Sequence, residues 1–181
     1  MFRLSLCLGH AVVAALLLSG CAAMTPEECK VADWGRVGYA DGARGLTERL
    51  ASYSEACAEV GVRPHAQAYR QGWDTGILRF CTAQGGWRAG VDGEYGKDAV
   101  CRGQPGYEAF TRYWQAGLEV YRTREEIRRK IERLGTLRRW ADDAPMEDDR
   151  TRLRMDMLEV ERALYWLQGL LAHQEAQAPP P

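Results

Sequence analysis

Residues 113–134, YWQAGLEVYRTREEIRRKIERL, and residues 153–171, LRMDMLEVERALYWLQGLL, carry one rhythm. In the first stretch Tyr113, Gly117, Val120, Arg124, Ile127, Ile131 and Leu134 recur at alternating steps of four and three. In the second, Leu153, Met157, Val160, Leu164, Leu167 and Leu171 keep the same steps. Such spacing puts each set on one face of a helix, and its persistence over several turns is that of a coiled-coil seam. Between them Asp142-Asp143-Ala144-Pro145 reads as a stop and a restart, with Asp143 or Ala144 before a Pro in the first turn. The pattern predicts an antiparallel helical hairpin over 113–173 with arms of about 40 Å, at about 1.5 Å per residue. Heptads of this kind fit an intramolecular hairpin and a dimer equally. Residues 174–181 are polar and Pro-rich and read as a disordered tail.

Upstream the grammar changes. Fourteen glycines fall between Gly35 and Gly106, while beyond Leu118 there are only Gly135 and Gly169. Residues 21–112 therefore form a separate Gly- and aromatic-rich helical domain. Thr25-Pro26-Glu27-Glu28 is a helix start with a capping box. Leu46, Leu50, Tyr53, Cys57 and Val60 trace an amphipathic helix ended by Gly61, and Pro64 opens another that runs to about Phe80. The glycine density of 82–104 reads as loop, with a short hairpin near Gly93. Gly38, Gly42 and Gly45 share a helical face, as do Gly72 and Gly76. Either the two stripes pack together, or the first helix breaks at Gly42; the break is favoured. Tyr39-x-x-Gly42 and Tyr69-x-x-Gly72, with a looser copy at Trp114-x-x-Gly117, form a weak echo that reads as a shared packing solution. The fold class is all-α: a small helical domain with a Gly-rich loop, then a long hairpin.

Residues 1–20 read as a signal peptide: Arg3 at the charged end, then an apolar run from Leu4 to Leu18 too short for a comfortable membrane span. Leu18-Ser19-Gly20-Cys21 resembles the lipobox of bacterial lipoprotein precursors. That resemblance implies lipidation of Cys21 by acyl chains (palmitate among them), which fix the mature N-terminus to a membrane. Ala22 stands where the lipoprotein sorting rule puts an aspartate for inner-membrane retention. The expected location is thus the outer membrane of a Gram-negative bacterium, periplasm-facing. Cleavage removes one basic residue from the 24 basic and 25 acidic of the whole chain, so the mature protein stays near neutral. Nothing in that balance points to nucleic acid.

Four cysteines remain for an oxidising compartment. Cys81 and Cys101 flank the Gly-rich loop. Cys29 and Cys57 would lie about 40 Å apart on a straight helix, so they meet only if the chain doubles back near Asp41–Gly45. The favoured pairing is Cys29–Cys57 with Cys81–Cys101, each worth about 2–4 kcal/mol. The rival zinc site has neither a C-x-x-C nor a nearby histidine in its favour.

Cys29, Asp33-Trp34, Gly38-Tyr39-x-Asp41-Gly42-x-x-Gly45, Ala56-Cys57, Gly61-Val62, Tyr69-x-x-Gly72-x-x-x-Gly76, Cys81-Thr82, Gly90, Gly93, Tyr95 and Val100-Cys101 together resemble an uncharacterised proteobacterial lipoprotein family. That family is a domain of unknown function, number two-seven-nine-nine. The resemblance spans about residues 21–125 and departs from the family pattern at Gly86-Trp87. It implies the lipoprotein and disulfide assignments and transfers no catalytic residue.

No catalytic residue, metal ligand or cofactor is assigned from the residues themselves. His65 reads as a surface residue or helix cap, and His173 falls in a fraying helix end. A hydrolase would have to use Asp33 or Asp41, without a recognisable partner set. The candidate ligand set is Asp33, Trp34, Tyr39, Asp41, Tyr69, Trp73, Trp87 and Tyr95, which would bind a cell-wall glycan or peptide if they converge. The candidate docking set is Arg124, Arg128 and Arg133, from a stretch (Arg122 to Arg139) with eight basic and three acidic residues. Its expected partner is an acidic envelope protein or a second copy. The expected role is a non-catalytic interaction or scaffolding module.

Overall fold

The computed structural model describes residues 23–180. The signal segment 1–20 and Cys21 lie outside the described residues. Eight helices form among those described: α1 (Pro26–Val31), α2 (Trp34–Ala43), α3 (Leu50–Ala58), α4 (Ala66–Phe80), α5 (Ala83–Val91), α6 (Asp98–Cys101), α7 (Tyr107–Asp143) and α8 (Glu147–Glu175).

Local chemistry explains the starts. The Thr25 hydroxyl accepts from the Glu28 backbone N–H at 3.3 Å, and Glu28 accepts from the Thr25 N–H at 2.8 Å, a complete capping box. Asp33 caps α2, His65 Nδ1 caps α4 and Thr82 caps α5, each by accepting a backbone N–H three residues on. His65 is thus a cap.

The glycines decide the packing. A Cβ on Gly38 would stand 1.9 Å from the Tyr69 carbonyl oxygen, and one on Gly72 2.0 Å from that of Gly35. A Cβ on Gly42 would stand 2.4 Å from the Trp73 carbonyl oxygen, and one on Gly76 2.2 Å from that of Tyr39. Contacts advance together along both chains, so α2 and α4 run parallel with their backbones touching. The helix does not break at Gly42; it continues to Ala43 and ends at Gly45, whose φ of 63° closes a Schellman turn. The stripe favoured as a break is instead the contact surface, because only residues without a Cβ allow this approach.

The same device recurs within 82–104, where 83–91 and 98–101 are helical rather than loop, while 92–97 and 102–104 are turns and no hairpin forms near Gly93. Here α5 packs parallel on α7: a Cβ on Gly86 would meet the Phe110 carbonyl at 2.1 Å, one on Gly90 that of Trp114 at 2.4 Å, and one on Gly117 that of Trp87 at 2.6 Å. Gly93, with φ 72°, ends α5 in a second Schellman turn.

The two halves correspond in detail. The Trp73 indole donates to the Leu46 carbonyl at 2.8 Å just past the α2 turn, and the Trp114 indole donates to the Glu94 carbonyl at 2.9 Å just past the α5 turn. Seven residues after each Trp, Phe80 and Tyr121 cover the turn glycines Gly45 and Gly93. Each half holds one disulfide, Cys29–Cys57 and Cys81–Cys101, both with Cα atoms 5.5 Å apart. The favoured pairing holds. One module, a helix, a turn and a parallel helix, is used twice.

Two cores follow. Cys29, Trp34, Tyr53, Cys57 and Tyr69 fill the first; Ile77, Cys81, Ala89, Cys101 and Phe110 fill the second, with Trp73 packed against both. Beyond the base α7 continues as one arm of a hairpin with α8, as its heptads predict. The seam is rotated from the expected one. Val120, Thr123, Leu134 and Leu137 are buried, whereas Arg124 and Ile131 face solvent. The start of α7 turns Gly117 toward α5, and a straight 3.6-residue helix then drifts from a strict heptad. Pro145 lies before α8 and Met146 is its N-cap, so the restart comes two or three residues later than expected. The helix persists to Glu175, and the Pro180 carbonyl accepts from Gln84 at 2.8 Å.

Candidate functional site

Asp41 is the buried polar centre of the first module. Its Oδ2 accepts the hydroxyls of Tyr53 and Tyr69, each at 2.9 Å, and its Oδ1 accepts from Arg44 at 2.9 Å. Tyr69 in turn accepts the Arg49 backbone N–H at 2.9 Å. Burial, reinforced by hydrogen bonding to Asp41, pushes the Tyr53 hydroxyl above the usual phenol range. Burial is also the main force raising Tyr69. Every polar atom here is matched within the chain, so the cluster is cross-bracing.

The candidate ligand set disperses accordingly. Asp33 caps α2; Trp34, Asp41 and Tyr69 are interior; Trp73 spends its indole N–H on the turn. Trp87 lies half-buried against α7. Tyr39 and Tyr95 are exposed, but Tyr95 packs edge-on to Tyr121, away from the cleft that Tyr39 lines. The set does not converge on one surface.

Sequence reasoning missed the cleft between the modules. It encloses about 800 Å³ and is walled by Tyr39, Arg44, Arg79, Arg88 and Lys97, with Asp92 and Glu94 at its edge. Lys97 ties the modules together: its Nζ donates to the Gly45 carbonyl at 3.1 Å, sits 5.6 Å over the Phe80 ring and lies 3.9 Å from Glu94. Four cations against two carboxylates make it a mildly cationic recess. These residues carry no sequence signature, because they come from three separate turns of chain.

On the arm, Arg124, Arg128 and Arg133 are all exposed, as docking requires, and each has a neighbour in the chain. Arg124 pairs with Glu175 at 2.7 Å, Arg128 pairs with Glu125, and Arg133 lies 5.2 Å over the Trp140 ring. A second surface on α8 went unassigned. Tyr165 and Trp166 are 82% and 64% exposed, and Met155 and Leu158 are exposed two to three turns earlier on the helix. Its signal is the spacing of Met155, Leu158, Arg162 and Tyr165, a second run of threes and fours beside the first.

Among the described residues no group of three or more His, Cys, Asp or Glu is placed to hold a metal ion, and no helix is long and apolar enough to cross a membrane. Residues 33–119, which run from the α2 cap to near the end of the α5–α7 contact, match the family model DUF2799, a protein of unknown function. This segment is similar to a DUF2799 domain. The match bears out the domain number two-seven-nine-nine drawn from the cysteines, glycines and aromatics, over 33–119 of the 21–125 expected. It stops within α7, leaving the outer part of α7 and all of α8 beyond it. No curated protein and no solved structure matches the chain.

Proposed function

We propose that the protein is a non-catalytic interaction and scaffolding module of the bacterial envelope, held at the outer membrane by a lipid on Cys21, with the α7–α8 arm as its working part. The observation that carries this reading is the division of labour along α7. Its first turns are locked to α5 by backbone contact, and the remainder of its 37 residues leaves the DUF2799-like segment to present exposed side chains with α8. At about 1.5 Å per residue α7 is about 55 Å long, a length suited to reaching a partner. The lipobox at Leu18–Cys21 supports the anchor and Ala22 the outer-membrane address.

Reversal of Arg128 and Arg133 to Glu tests the arm. Partner recovery by affinity purification from crosslinked cells should fall at least tenfold while the disulfides and thermal melt stay as in the unaltered chain. Unchanged recovery from every arm variant would discard the reading.

One feature favours a second reading, a binder of cell-wall peptide or glycan: the cationic inter-module cleft with Tyr39 on its wall. Sedimentation with purified sacculi decides it, through the double variant Arg79→Glu, Arg88→Glu. Binding that this variant does not weaken would exclude the cleft.

A further inference from the structure

We infer that the outer stripe of α8 is a self-association surface, on which two copies of this chain pair α8 against α8 in parallel about Gly169. This rests on the reading of the arm as an interaction module and names its partner.

Among the described residues, five helices carry an aromatic side chain three positions before a glycine. Four are used in pairs: Tyr39-x-x-Gly42 of α2 lies on Trp73-x-x-Gly76 of α4, and Trp87-x-x-Gly90 of α5 on Trp114-x-x-Gly117 of α7. In all four, a Cβ on the glycine would stand within 2.6 Å of a carbonyl oxygen of the facing helix. The fifth is Trp166-x-x-Gly169, within Tyr165-Trp166-Leu167-Gln168-Gly169, close in wording to Tyr113-Trp114-Gln115-Ala116-Gly117. A Cβ on Gly169 would meet nothing within 4 Å. A helical glycine facing water costs about 1 kcal/mol against alanine, and elsewhere in this fold such a residue admits a parallel helix backbone.

Position agrees. Leu153, Met157, Val160, Leu164, Leu167 and Leu171 face α7, and at about 100° per residue Met155, Leu158, Arg162, Tyr165 and Gly169 fall on the opposite side. Trp166 and Gly169 line a shallow depression of about 480 Å³.

Charge agrees as well. Parallel in-register pairing of identical helices sets each residue beside its own copy, so any charge on the seam meets its like. Residues 163–174 contain no Asp, Glu, Lys or Arg, so the seam is confined to them; Arg162, on the same face just before Tyr165, would meet its own copy and marks where the seam ends. Within that stretch Tyr165 and Trp166, 82% and 64% exposed, are the side chains a second copy would bury. A two-fold axis parallel to α8 closes the assembly at two chains. A membrane surface, the competing occupant, favours an excess of basic residues flanking an apolar stripe, whereas 163–174 is flanked by Glu161 and Arg162 at one end and Glu175 at the other.

The test uses the full chain in cells. Tyr165→p-benzoylphenylalanine, photolysed, should give an adduct of twice the chain mass, linked to α8 of a second copy by mass spectrometry. The same substitution at Arg133 is the comparison. Copies bearing different affinity tags should co-purify, Gly169→Leu should reduce that at least tenfold, and Gly169→Ala should reduce it less. Because Gly169 touches nothing in the single chain, both variants should keep an unchanged or raised Tm. Adducts at 165 only to a different protein, or only to lipid, would overturn self-association while leaving an arm that docks. No protein adduct from 165 or from 133 would overturn both this inference and the interaction reading. Dimers indifferent to Gly169→Leu would place the contact elsewhere and end the proposal.

Discussion

Asp41 shows how one residue is fixed by what surrounds it. In the second module the equivalent positions of Asp41 and Tyr69 are held by Ala89 and Phe110, so one scaffold is braced once by a carboxylate and once by apolar packing. Asp41→Ala leaves two buried hydroxyls without an acceptor and should cost about 2–4 kcal/mol in chemical denaturation. Adding Tyr69→Phe restores the pattern of the second module. The double variant should then be more stable than the sum of the single losses, and strict additivity would mean that the two groups are not coupled. The pair also sets an alkaline limit. Both tyrosine hydroxyls titrate higher in the folded chain than in the unfolded one, where phenols ionise near about 10. Their contribution is therefore whole below pH of about 10 and is lost as pH rises through the raised folded values. The denaturation midpoint should hold from pH 7 to 9 and then drop, less steeply in Tyr53→Phe. From the sequence Asp41 read as a polar ligand or a turn residue, because its two acceptor contacts come from residues 12 and 28 positions away. No local pattern encodes such distances.

Among the elements, α5 is where sequence and structure part most. Gly85, Gly86 and Gly90 lower its helix propensity, and read alone they describe a loop. Tertiary contact overrides that preference: Gly86 and Gly90 are the two places where α5 lies on the backbone of α7. The echo of aromatic-x-x-Gly was visible, but its pairing was not, since the true correspondence is α2 with α5 and α4 with α7. Capping chemistry, by contrast, was legible at Thr25 and His65, because a cap is made within three residues. The disulfides were legible because chain geometry leaves few ways to close them. The arm's heptads gave its existence but rotated its seam, since the partner of α7 changes from α5 to α8 part-way along. A contrast within one residue type follows. Gly86→Ala forces a Cβ to 2.1 Å from the Phe110 carbonyl oxygen and should lower stability by about 2–3 kcal/mol as the helices part. Gly135→Ala, whose Cβ would find a flexible Arg139 nitrogen at 3.8 Å, should be neutral or raise Tm. Equal melts for the two would refute close packing of α5 on α7.

Across the whole molecule, burial falls off along α7. At its base Phe110, Gly117, Leu118 and Val120 are interior, the neighbouring disulfide Cys81–Cys101 closes a 20-residue separation, and Phe80 stacks 5.1 Å from Phe110 while covering the Gly45 turn of the other module. Trp73 touches both cores and Lys97 reaches across the turn, so the two modules share their packing and should unfold together. The outer arm has only α7 and α8 to cover each other. Leu134 and Leu137 are buried there, but the facing Leu153, Met157 and Val160 remain half-exposed, and many of the ion pairs are between solvated side chains worth little each. Local opening is governed by such differences in apolar burial. Hydrogen exchange should therefore show three levels in the oxidised full chain. Amides of α2, α4, α5 and the first turns of α7 should exchange at the rate of global unfolding. Amides of 128–160 should exchange by a smaller, local opening of the hairpin tip. Residues 163–174 should fall between them at low protein concentration and gain protection as concentration rises, because an interface there is filled by mass action. Reducing the disulfides should shift the first level toward the second by removing constraints worth about 2–4 kcal/mol each. Uniform protection along α7 would contradict the division into a locked base and a lightly held arm. Protection of 163–174 that ignores concentration would leave the arm as drawn and remove the second copy from it.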